Sequence, residues 1–461
     1  MASSYGARTA ADPAGARDGL PDEVRLDGIA ADEGLALLGE SVDRVAWLDR
    51  SAFLSASFGY PAPWLRHVAV SPLLRTAAAP GPGRGGRPRP AGRSCAVAFA
   101  PEHGDHAVRW ARAHGHRLLA PDPAVTARAA DKIEVLGLFG AAGVAVPEHV
   151  VVPARDRAAA AAYWRADWPA AVLQRRENNL LGQGTVRVDD ARALEAALRA
   201  WPGRALRLSR LVPGRSLTVS ACVGGDRTVV GAVSQQLVGL PGLTAGWGTH
   251  CGNQLLDPAD LPPGTYARAR AAALSVGEVL RAQGYRGVFG LDLVESQEAG
   301  GEMLGIEVNP RFQTVSSLGQ AAEHAAGLLP ALGLHVLACL LPELPPGRVS
   351  AARVPRLSQL VVHAERAGHA RDVPAAGRYR LDAHGAAHGP DPAGPLPLPL
   401  LGADEALWWP HAAPGRVVAG DELVLLQFPA HRCALTAARP ALDPAALAWR
   451  AAAARAWEGA A

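Results

Sequence analysis

Short apolar segments alternate with helix-length stretches in the first part of the chain. Arg44–Leu48 and Cys95–Ala100 have the length and apolar content of buried strands, and a stretch with helical periodicity, Asp105–His114, follows the second of them. This order of elements predicts an open α/β domain over residues 21–130. A disordered tail at residues 1–20 is expected before it, and a flexible Pro/Gly/Arg-rich loop is expected at residues 78–93.

The middle of the chain predicts an α+β domain over residues 131–345. Asp131 can cap a helix that ends at Gly143, and the polar segment Glu177–Gly184 forms the turn of a hairpin with a loose tip. The predicted strands are Ala171–Gln174, Thr185–Val188, Leu206–Leu211, Leu217–Val223, Thr228–Val238 and Val288–Val294, and the predicted helices are Tyr266–Gln283 and the Ala/Leu-rich stretch Gly319–Leu341.

The composition changes again near Arg348. Apolar strands are predicted at Leu357–His363 and Glu422–Phe428, with a Pro/Gly/Ala-rich loop between them. We therefore expect a small β-rich domain over residues 348–461, although no motif in it indicates a chemistry.

Composition and charge exclude several classes of protein. Of 461 residues only 19% are charged and the net charge is +3, which argues against a nucleic-acid-binding arm and against a disordered acidic chain. The five cysteines form no C-x-x-C pair, so neither a disulfide framework nor a zinc ribbon is indicated. No apolar stretch has the length of a signal peptide or a membrane span, and we expect a cytoplasmic protein without nucleic-acid or membrane partners.

Two motifs are interpreted as non-functional. Gly81–Gly86 matches G-x-G-x-x-G, but the prolines around it cannot supply the helix that would hold a pyrophosphate, so a linker is expected. Six Glu, Asp and His residues between Glu102 and His116 match no zinc spacing, and a solvated helix face is expected there.

The segment from Val288 to Arg311 carries the most informative pattern. If Ala299 and Gly300 form a two-residue loop, Asp292 lies directly opposite Glu307 across a hairpin, and Asn309 shares the face of Glu307. Opposed carboxylates destabilise a sheet unless a cation lies between them, and two carboxylates with an amide oxygen suit Mg²⁺. Alternatively, a one-residue slip would place the two carboxylates on separate faces as surface charges.

These residues resemble a known family. Gly-Val-Phe-Gly-Leu-Asp292, followed by Gly-Ile-Glu307-Val-Asn309-Pro-Arg311-Phe-Gln, is similar to the metal-binding core of ATP-grasp enzymes, nearest to the biotin carboxylase and carboxylate–amine ligase branches. The resemblance covers roughly residues 95–341 and implies an α/β fold whose grasp module has two α+β subdomains. It implies ATP and Mg²⁺ as cofactors, with Mn²⁺ as an alternative metal. By this resemblance Asp292, Glu307 and Asn309 hold the metal, and Arg311 stabilises the acyl-phosphate oxygens.

The same resemblance assigns further positions. Lys132 would contact a nucleotide phosphate and take part in catalysis, and the segment Glu177–Thr185 would close over the phosphates. The implied nucleotide-binding residues are Lys132, Gln174, Arg175, Gly182, Gly184, Thr185, Ser209, Leu211, Val212 and Ser216, and the implied substrate-binding residues are Gly246, His250, Asn253 and Arg311. The last set falls mostly in the Gly-rich stretch Ser234–Asn253, for which an ordinary surface loop is the alternative.

Three positions depart from the family pattern. Gln174 stands where a strand lysine is usual, Ser209 where the hinge is often acidic, and Ser216 where a glutamate often contacts ribose. These departures put nucleotide affinity and the preference for adenine in question.

Lys132 is the only lysine among the 46 basic residues. A cation in the first turn of a helix is disfavoured by the helix dipole unless an anion lies nearby. A compact ammonium group suits a phosphate as a point charge, so a phosphate contact is expected, with chance as the alternative.

The sequence thus predicts an ATP-dependent carboxylate–amine ligase that forms an amide or peptide bond through an acyl phosphate. The expected partners are small-molecule carboxylate and amine substrates, such as an amino acid or small peptide in specialised metabolism, and a homodimer is the expected assembly. The alternatives are a biotin carboxylase-like carboxylase and a non-catalytic nucleotide-binding protein.

Overall fold

The computed structural model describes most of the chain. The described residues are 24–49, 52–54, 60, 64–69, 93–103, 105–154, 160–177, 184–298, 300–370, 373–392, 397–435 and 440–458. The expected tail at residues 1–20, nearly all of the expected loop at residues 78–93 and the Gly81–Gly86 motif lie outside these residues.

The N-terminal region contains a four-stranded parallel sheet with the order β3-β2-β4-β5. Strand β2 is buried along nearly its whole length, as expected for a parallel strand covered on both faces. This agrees with the predicted open α/β arrangement. The elements of the region are β1 Leu26–Gly28, α1 Ala31–Ser41, β2 Arg44–Asp49, β3 Leu65–Ala69, β4 Ser94–Ala98, α2 His106–Ala113, β5 Arg117–Leu118 and α3 Pro123–Ala130.

A second, smaller sheet has four antiparallel strands in the order β6-β9-β7-β8. Helix α6 covers it and is capped by Asp190, whose carboxylate accepts the backbone N–H of Ala193. Leu194 and Leu198 of that helix pack into the apolar core beneath the sheet. The elements are α4 Val135–Ala141, β6 His149–Val152, α5 Ala160–Tyr163, β7 Ala171–Arg175, β8 Thr185–Val188, α6 Ala191–Ala200 and β9 Leu206–Arg210.

A ten-stranded antiparallel sheet forms the centre of the rest of the molecule, with the order β14-β13-β10-β11-β12-β16-β22-β20-β18-β19. Its first part carries α7, which packs on β10 and β11. Strand β15 pairs with β1, and β17 pairs with β21, in two-stranded sheets. The elements are β10 Gly214–Val223, β11 Thr228–Val238, β12 His250–Leu255, α7 Thr265–Ala282, β13 Gly287–Ser296, β14 Met303–Asn309, α8 Ser316–Ala325, α9 Ala331–Leu340, β15 Arg348–Ser350, β16 Ser358–His363, β17 Gly368–Ala370, β18 Gly377–Leu381, β19 Ala387–His388, β20 Glu405–Pro410, β21 Gly415–Val417, β22 Glu422–Phe428 and α10 Pro444–Glu458.

The β-rich C-terminal region is joined to the middle of the chain through this sheet. Strand β12 pairs with β16, so the C-terminal strands continue the sheet begun by β10–β14. Side chains of the C-terminal strands therefore reach the same space as those of the middle region.

Two predicted segments differ from the structure. The helix expected to start at Asp131 starts at Val135, because the Asp131 carboxylate accepts the backbone N–H groups of Ile133 and Glu134 and holds a turn before the helix. The predicted end is confirmed, since Gly143 has a left-handed φ of 66°. The stretch Ser234–Asn253 is the end of β11, a loop and the start of β12.

No helix in the part of the chain that the structure describes is both long and apolar enough to cross a membrane.

Candidate active site

A cavity of about 920 Å³ lies where the three regions meet. The small sheet and β10–β14 form its two sides, and residues that follow β2 and β4 close it from the N-terminal region. Strands β20 and β22 contribute His411, just after β20, and Glu422. The space is thus built by residues far apart in the sequence.

Asp292 on β13 is paired directly with Glu307 on β14, as the alternation of the hairpin predicted. Gly290 is paired with Asn309 in the same register. The predicted two-residue loop is wrong, because the strands end at Ser296 and restart at Met303, with residues 297–302 between them. After Asp292 the register shifts by one residue, because β14 has one extra, bulged residue at Ile306. This bulge offsets the difference between the predicted and the observed loop, so the predicted pair is still formed.

Asp292 is buried among hydrogen-bond donors. Its Oδ1 accepts from Thr218 Oγ1 at 2.7 Å and from Gln313 Nε2 at 3.4 Å, and its Oδ2 accepts from Asn309 Nδ2 at 2.9 Å. Burial, and then the charge of Glu307, raise the pKa of Asp292 to about 6. Further positive charge in the cavity would stabilise the ionised form of Asp292.

The glycine of the Phe-Gly-Leu-Asp segment makes room for Gln313. A Cβ at Gly290 would clash with the Gln313 side chain that reaches Asp292. Gly290 belongs to the first half of the sequence motif and Gln313 to the second, and the Gln313 side chain fits only because residue 290 has no side chain.

Glu307 forms an ion pair with Lys132 through Oε2 and Nζ. Burial would raise the pKa of Glu307, but the charge and hydrogen bond of Lys132 and the charge of Arg311 lower it overall. Lys132 itself is only 5% exposed. The anion expected near Lys132 is therefore present as a protein carboxylate, while the phosphate contact stays a prediction.

Arg311 links the end of β14 to the N-terminal region. Its Nη2 donates to Asn309 Oδ1 at 3.0 Å, its Nε lies 3.0 Å from Glu102 Oε1, and its guanidinium lies 5.9 Å from the centre of the Phe99 ring. The Glu102 side chain is 6% exposed, so the expected solvated helix face is wrong for this residue. The reason is that Glu102 follows β4, whose carboxyl end faces the cavity.

The donor set of Asp292, Glu307 and Asn309 fits a hard divalent cation. Two carboxylates face each other on adjacent strands, and the Asn309 amide lies beside them, with its Nδ2 donating to Asp292 Oδ2 and its Oδ1 accepting from Arg311 Nη2. The raised pKa of Asp292 is consistent with a site that needs additional positive charge. The three predicted metal ligands are thus brought together.

The small sheet and the segment after β9 form the other end of the cavity. Gln174, Thr185, Ser209, Leu211, Val212 and Ser216 all line it. Gly184 does not line it but has a left-handed φ of 85° at the entry to β8, and Gly182 lies outside the described residues.

Arg175 does not reach this cavity, contrary to the expectation. Side chains alternate along a strand, so Gln174 faces the cavity and Arg175 faces away. Arg175 lines a separate small pocket, where its Nε lies 3.7 Å from Glu177 Oε2.

Arg207 is a cavity-lining cation that sequence reasoning missed. It is paired with Gln174 across β7 and β9 and is 1% exposed. Its Nε donates to Ser209 Oγ at 2.9 Å, and its Nη1 donates to the backbone oxygen of Ile306 at 3.0 Å. Burial lowers the pKa of Arg207 to about 10, and the charge of Glu307 opposes this, so Arg207 stays protonated at neutral pH.

A signal for Arg207 exists in the sequence. Leu206-Arg207-Leu208 places a charge between aliphatic residues in a short strand, as Leu291-Asp292-Leu293 also does, and a charge in such a setting is buried only with a partner.

The end of the cavity beyond Arg311 combines residues of all three regions. Phe53 and Phe99 come from the N-terminal region, and His250 and Asn253 come from β12. His250 Nε2 and Asn253 Oδ1 lie 2.8 Å apart, and burial lowers the pKa of His250. Gly246 does not line the cavity, because the loop presents its neighbours Trp247 and Gly248 instead.

His411 and Glu422 complete this end and were also missed. His411 Nδ1 lies 2.9 Å from Glu422 Oε2, and both side chains are almost fully buried. No local motif marks them, because the pair forms only when β20 and β22 join the large sheet.

Comparisons with known proteins agree with this geometry. Residues 129–315 match the sequence profile described as ATP-grasp domain. The fold is shared with N5-carboxyaminoimidazole synthase from Aspergillus clavatus, solved with ADP and 5-aminoimidazole ribonucleotide (TM-score 0.53, 15% identity, 85% of this chain and 94% of that chain). It is also shared with phosphoribosylamine–glycine ligase from Thermotoga maritima (TM-score 0.52, 14% identity, 83% of this chain and 92% of that chain).

A comparison with curated protein sequences found no match. The similarity to the solved structures shows the fold, and the fold class and the family resemblance expected from the hairpin motif are confirmed.

Proposed function

We propose that this protein, which carries an ATP-grasp domain in residues 129–315, is an ATP-dependent ligase that joins a carboxylate to an amine through an acyl phosphate. The observation that carries the proposal is the pairing of Asp292 with Glu307 inside a cavity of about 920 Å³. The cavity extends from this pair in two directions. One end suits a nucleotide, and the other is large and varied enough for a second substrate.

Three buried or half-buried cations surround the carboxylate pair. Lys132 contacts Glu307, Arg207 lies on the nucleotide side, and Arg311 lies toward the second end. Preorganised positive charge of this kind binds a triphosphate and stabilises the charge that moves during phosphoryl transfer.

Asp292, Glu307 and Asn309 would hold Mg²⁺, with Mn²⁺ as the alternative. Bound there, the metal would supply the positive charge that neutralises the phosphate oxygens. Lys132 keeps Glu307 ionised, and Asn309 is held between Asp292 and Arg311 by hydrogen bonds.

In the proposed reaction the substrate carboxylate attacks the γ-phosphorus of ATP, and ADP leaves. The amine then attacks the carbonyl carbon of the acyl phosphate, and inorganic phosphate leaves. Arg311 would stabilise the oxygens of the acyl phosphate, and its contacts with Asn309 and Glu102 fix the direction of the guanidinium.

We further propose an amino acid or small peptide as substrate, in specialised metabolism, and a cytoplasmic homodimer as the working form. The support for the substrate class is the mixed lining of the second end of the cavity, which combines aromatic rings with Arg311 and Glu422. The unusual Gln174, Ser209 and Ser216 favour a specialised rather than a central role.

A carboxylase is the second candidate, with bicarbonate as the carboxylate. It is favoured by the fold shared with the Aspergillus clavatus enzyme, whose name describes formation of a carboxy compound and whose structure holds the amine 5-aminoimidazole ribonucleotide.

ADP release tests these functions. The purified chain is incubated with ATP, Mg²⁺ and pooled amino acids, and in parallel with bicarbonate and the same pools. ADP release that needs both an organic carboxylate and an amine supports the ligase, whereas release that needs bicarbonate supports the carboxylase. If no pool gives ADP and Glu307→Gln binds ATP as the wild type does, the catalytic function is wrong.

A further inference from the structure

The C-terminal strands bring a histidine–carboxylate pair into the second end of the cavity. His411 follows β20 and Glu422 begins β22, and both side chains line the cavity. Neither residue belongs to the segment that matches the ATP-grasp profile, which ends at residue 315. From this placement we propose that His411 and Glu422 form the subsite that binds the amine substrate and accepts its proton. This inference rests on the ligase function proposed above.

A continuous wall of side chains connects the pair to Arg311. The guanidinium of Arg311 lies 5.9 Å from the centre of the Phe99 ring, the Phe99 and Phe53 ring centres are 6.4 Å apart, and those of Phe53 and His411 are 5.8 Å apart. The acyl phosphate and the amine meet over these rings, with the acyl-phosphate oxygens toward Arg311 and the ammonium nitrogen toward His411. The two phenyl rings suit apolar portions of both substrates.

The charges at this end suit a protonated amine. Glu422 presents a buried carboxylate, and a buried carboxylate attracts an ammonium group strongly because little water screens it. Glu422 is also paired across the sheet with His363, and its charge acts on His250 on β12. Arg311 repels a cation, so the amine is directed to the Glu422 side of the cavity.

The pair also has the arrangement of a general base. A bond from His411 Nδ1–H to Glu422 fixes the ring and its tautomer, so that Nε2 accepts a proton, and the carboxylate stabilises the imidazolium that forms. An ammonium nitrogen cannot attack, because its electron pair is bound to the proton.

The proposed step balances as follows. One N–H bond of the ammonium group breaks and the proton passes to His411 Nε2, which frees the electron pair of nitrogen. That pair forms the C–N bond to the acyl phosphate, and the C–O bond to phosphorus-bound oxygen breaks as inorganic phosphate leaves with its electron pair. A second proton leaves the nitrogen to phosphate or water, and His411 returns its proton to water.

Hydroxylamine separates this step from acyl-phosphate formation, because it is a nucleophile that is largely unprotonated at neutral pH. The full-length wild type and His411→Gln are each incubated with ATP, Mg²⁺ and pooled amino acids, with and without hydroxylamine. Hydroxamate reports the acyl phosphate, and peptides measured by mass spectrometry report attack by an amino group. We expect His411→Gln to lose about 100-fold in peptide formation while hydroxamate formation stays within about twofold.

The remaining results are equally informative. Unchanged peptide formation, or equal loss of both products, overturns the subsite. A wild type that makes neither product contradicts the ligase function itself, which distinguishes the two failures.

Two further variants separate chemistry from folding. His431→Gln is the control, since His431 is half-buried, lies 2.6 Å from the backbone oxygen of Leu255 and does not line the cavity, and it should keep the wild-type ratio of peptide to hydroxamate. Glu422→Gln keeps the shape of the side chain and removes its charge, and it should raise the KM for the amine at least tenfold. An unchanged amine KM in a folded Glu422→Gln protein contradicts the subsite even if His411→Gln does not fold.

Discussion

Lys132 and Arg207 both line the cavity, but they differ in the shape of their charged groups. Lys132 reaches Glu307 through a compact ammonium group, whereas Arg207 uses its planar guanidinium to hold Ser209 and the bulged backbone at Ile306 at once. The two side chains are therefore not interchangeable. In a chain with 46 basic residues and a single lysine, the position of that lysine is informative.

Lys132→Arg should raise the KM for ATP about tenfold without changing the net charge. The larger guanidinium must fit where the ammonium group is 5% exposed, and it would displace Glu307 from its position opposite Asp292. Steady-state kinetics at varied ATP measures the effect. Arg128→Lys, on the exposed surface of α3, is the control and should leave the KM unchanged. A wild-type KM in Lys132→Arg would show that this lysine is not required for nucleotide binding.

Arg207→Met should raise the KM for ATP at least tenfold, because it removes the cation that faces the cavity opposite Gln174. Arg175→Met is the matched comparison, since it removes the same charge from the neighbouring position on β7 that faces away. Nucleotide binding by calorimetry measures both variants. Equal effects of the two substitutions would contradict the assignment of faces.

At the scale of elements, the β13–β14 hairpin shows what a sequence can and cannot predict. The prediction that Asp292 lies opposite Glu307 is right although the predicted loop is wrong, because the bulge in β14 next to this pair offsets the one-residue difference in register. The bulge in β14 was not predictable, because an extra residue in one strand leaves no local pattern. His411 and Glu422 were missed for a related reason. Their partners lie on strands brought together only by the tertiary fold.

Helix α9 holds the start of β13 through His335. Its Nδ1 accepts the backbone N–H of Val288 at 3.0 Å, and its Nε2 lies 3.1 Å from the backbone oxygen of Leu119, so the bonded ring is neutral. Burial lowers the pKa of His335 to about 4. A histidine with a lowered pKa in the folded state favours folding above its unfolded pKa, and this contribution is lost as the pH falls.

The free energy of unfolding should therefore decrease as the pH falls from about 6.5 toward 4, by on the order of 3 kcal/mol from His335. Urea unfolding at several pH values measures the slope. His335→Gln should be less stable at pH 7 but should lose less stability on acidification. The same acid dependence in the variant and the wild type would contradict the role of this histidine.

At the scale of the whole molecule, the cavity exists because one sheet runs from β14 to β19 and the N-terminal sheet closes its open side. The family profile covers only residues 129–315. The cavity is also lined by three residues outside that range, Phe53, His411 and Glu422, and Glu102, also outside it, forms an ion pair with the cavity-lining Arg311. In the proposed function the middle region supplies the residues for the nucleotide and the metal, and the outer regions shape the second end. Substrate choice is therefore expected to depend on the outer regions.

Glu102→Gln tests this division of roles. The carboxylate of Glu102 comes from the N-terminal region and lies 3.0 Å from Arg311 Nε, which also contacts Asn309. Without the charge of Glu102, the guanidinium of Arg311 is held less firmly in the position from which it would contact the acyl phosphate. We therefore expect kcat to fall about tenfold, whereas the KM for ATP should change less than twofold. Steady-state kinetics at saturating substrates separates the two constants. Asp105→Asn, an exposed change in the segment just after Glu102, should leave both unchanged. If Glu102→Gln raises the KM for ATP and spares kcat, Glu102 acts on the nucleotide end, and the N-terminal region does not serve the second substrate through Arg311.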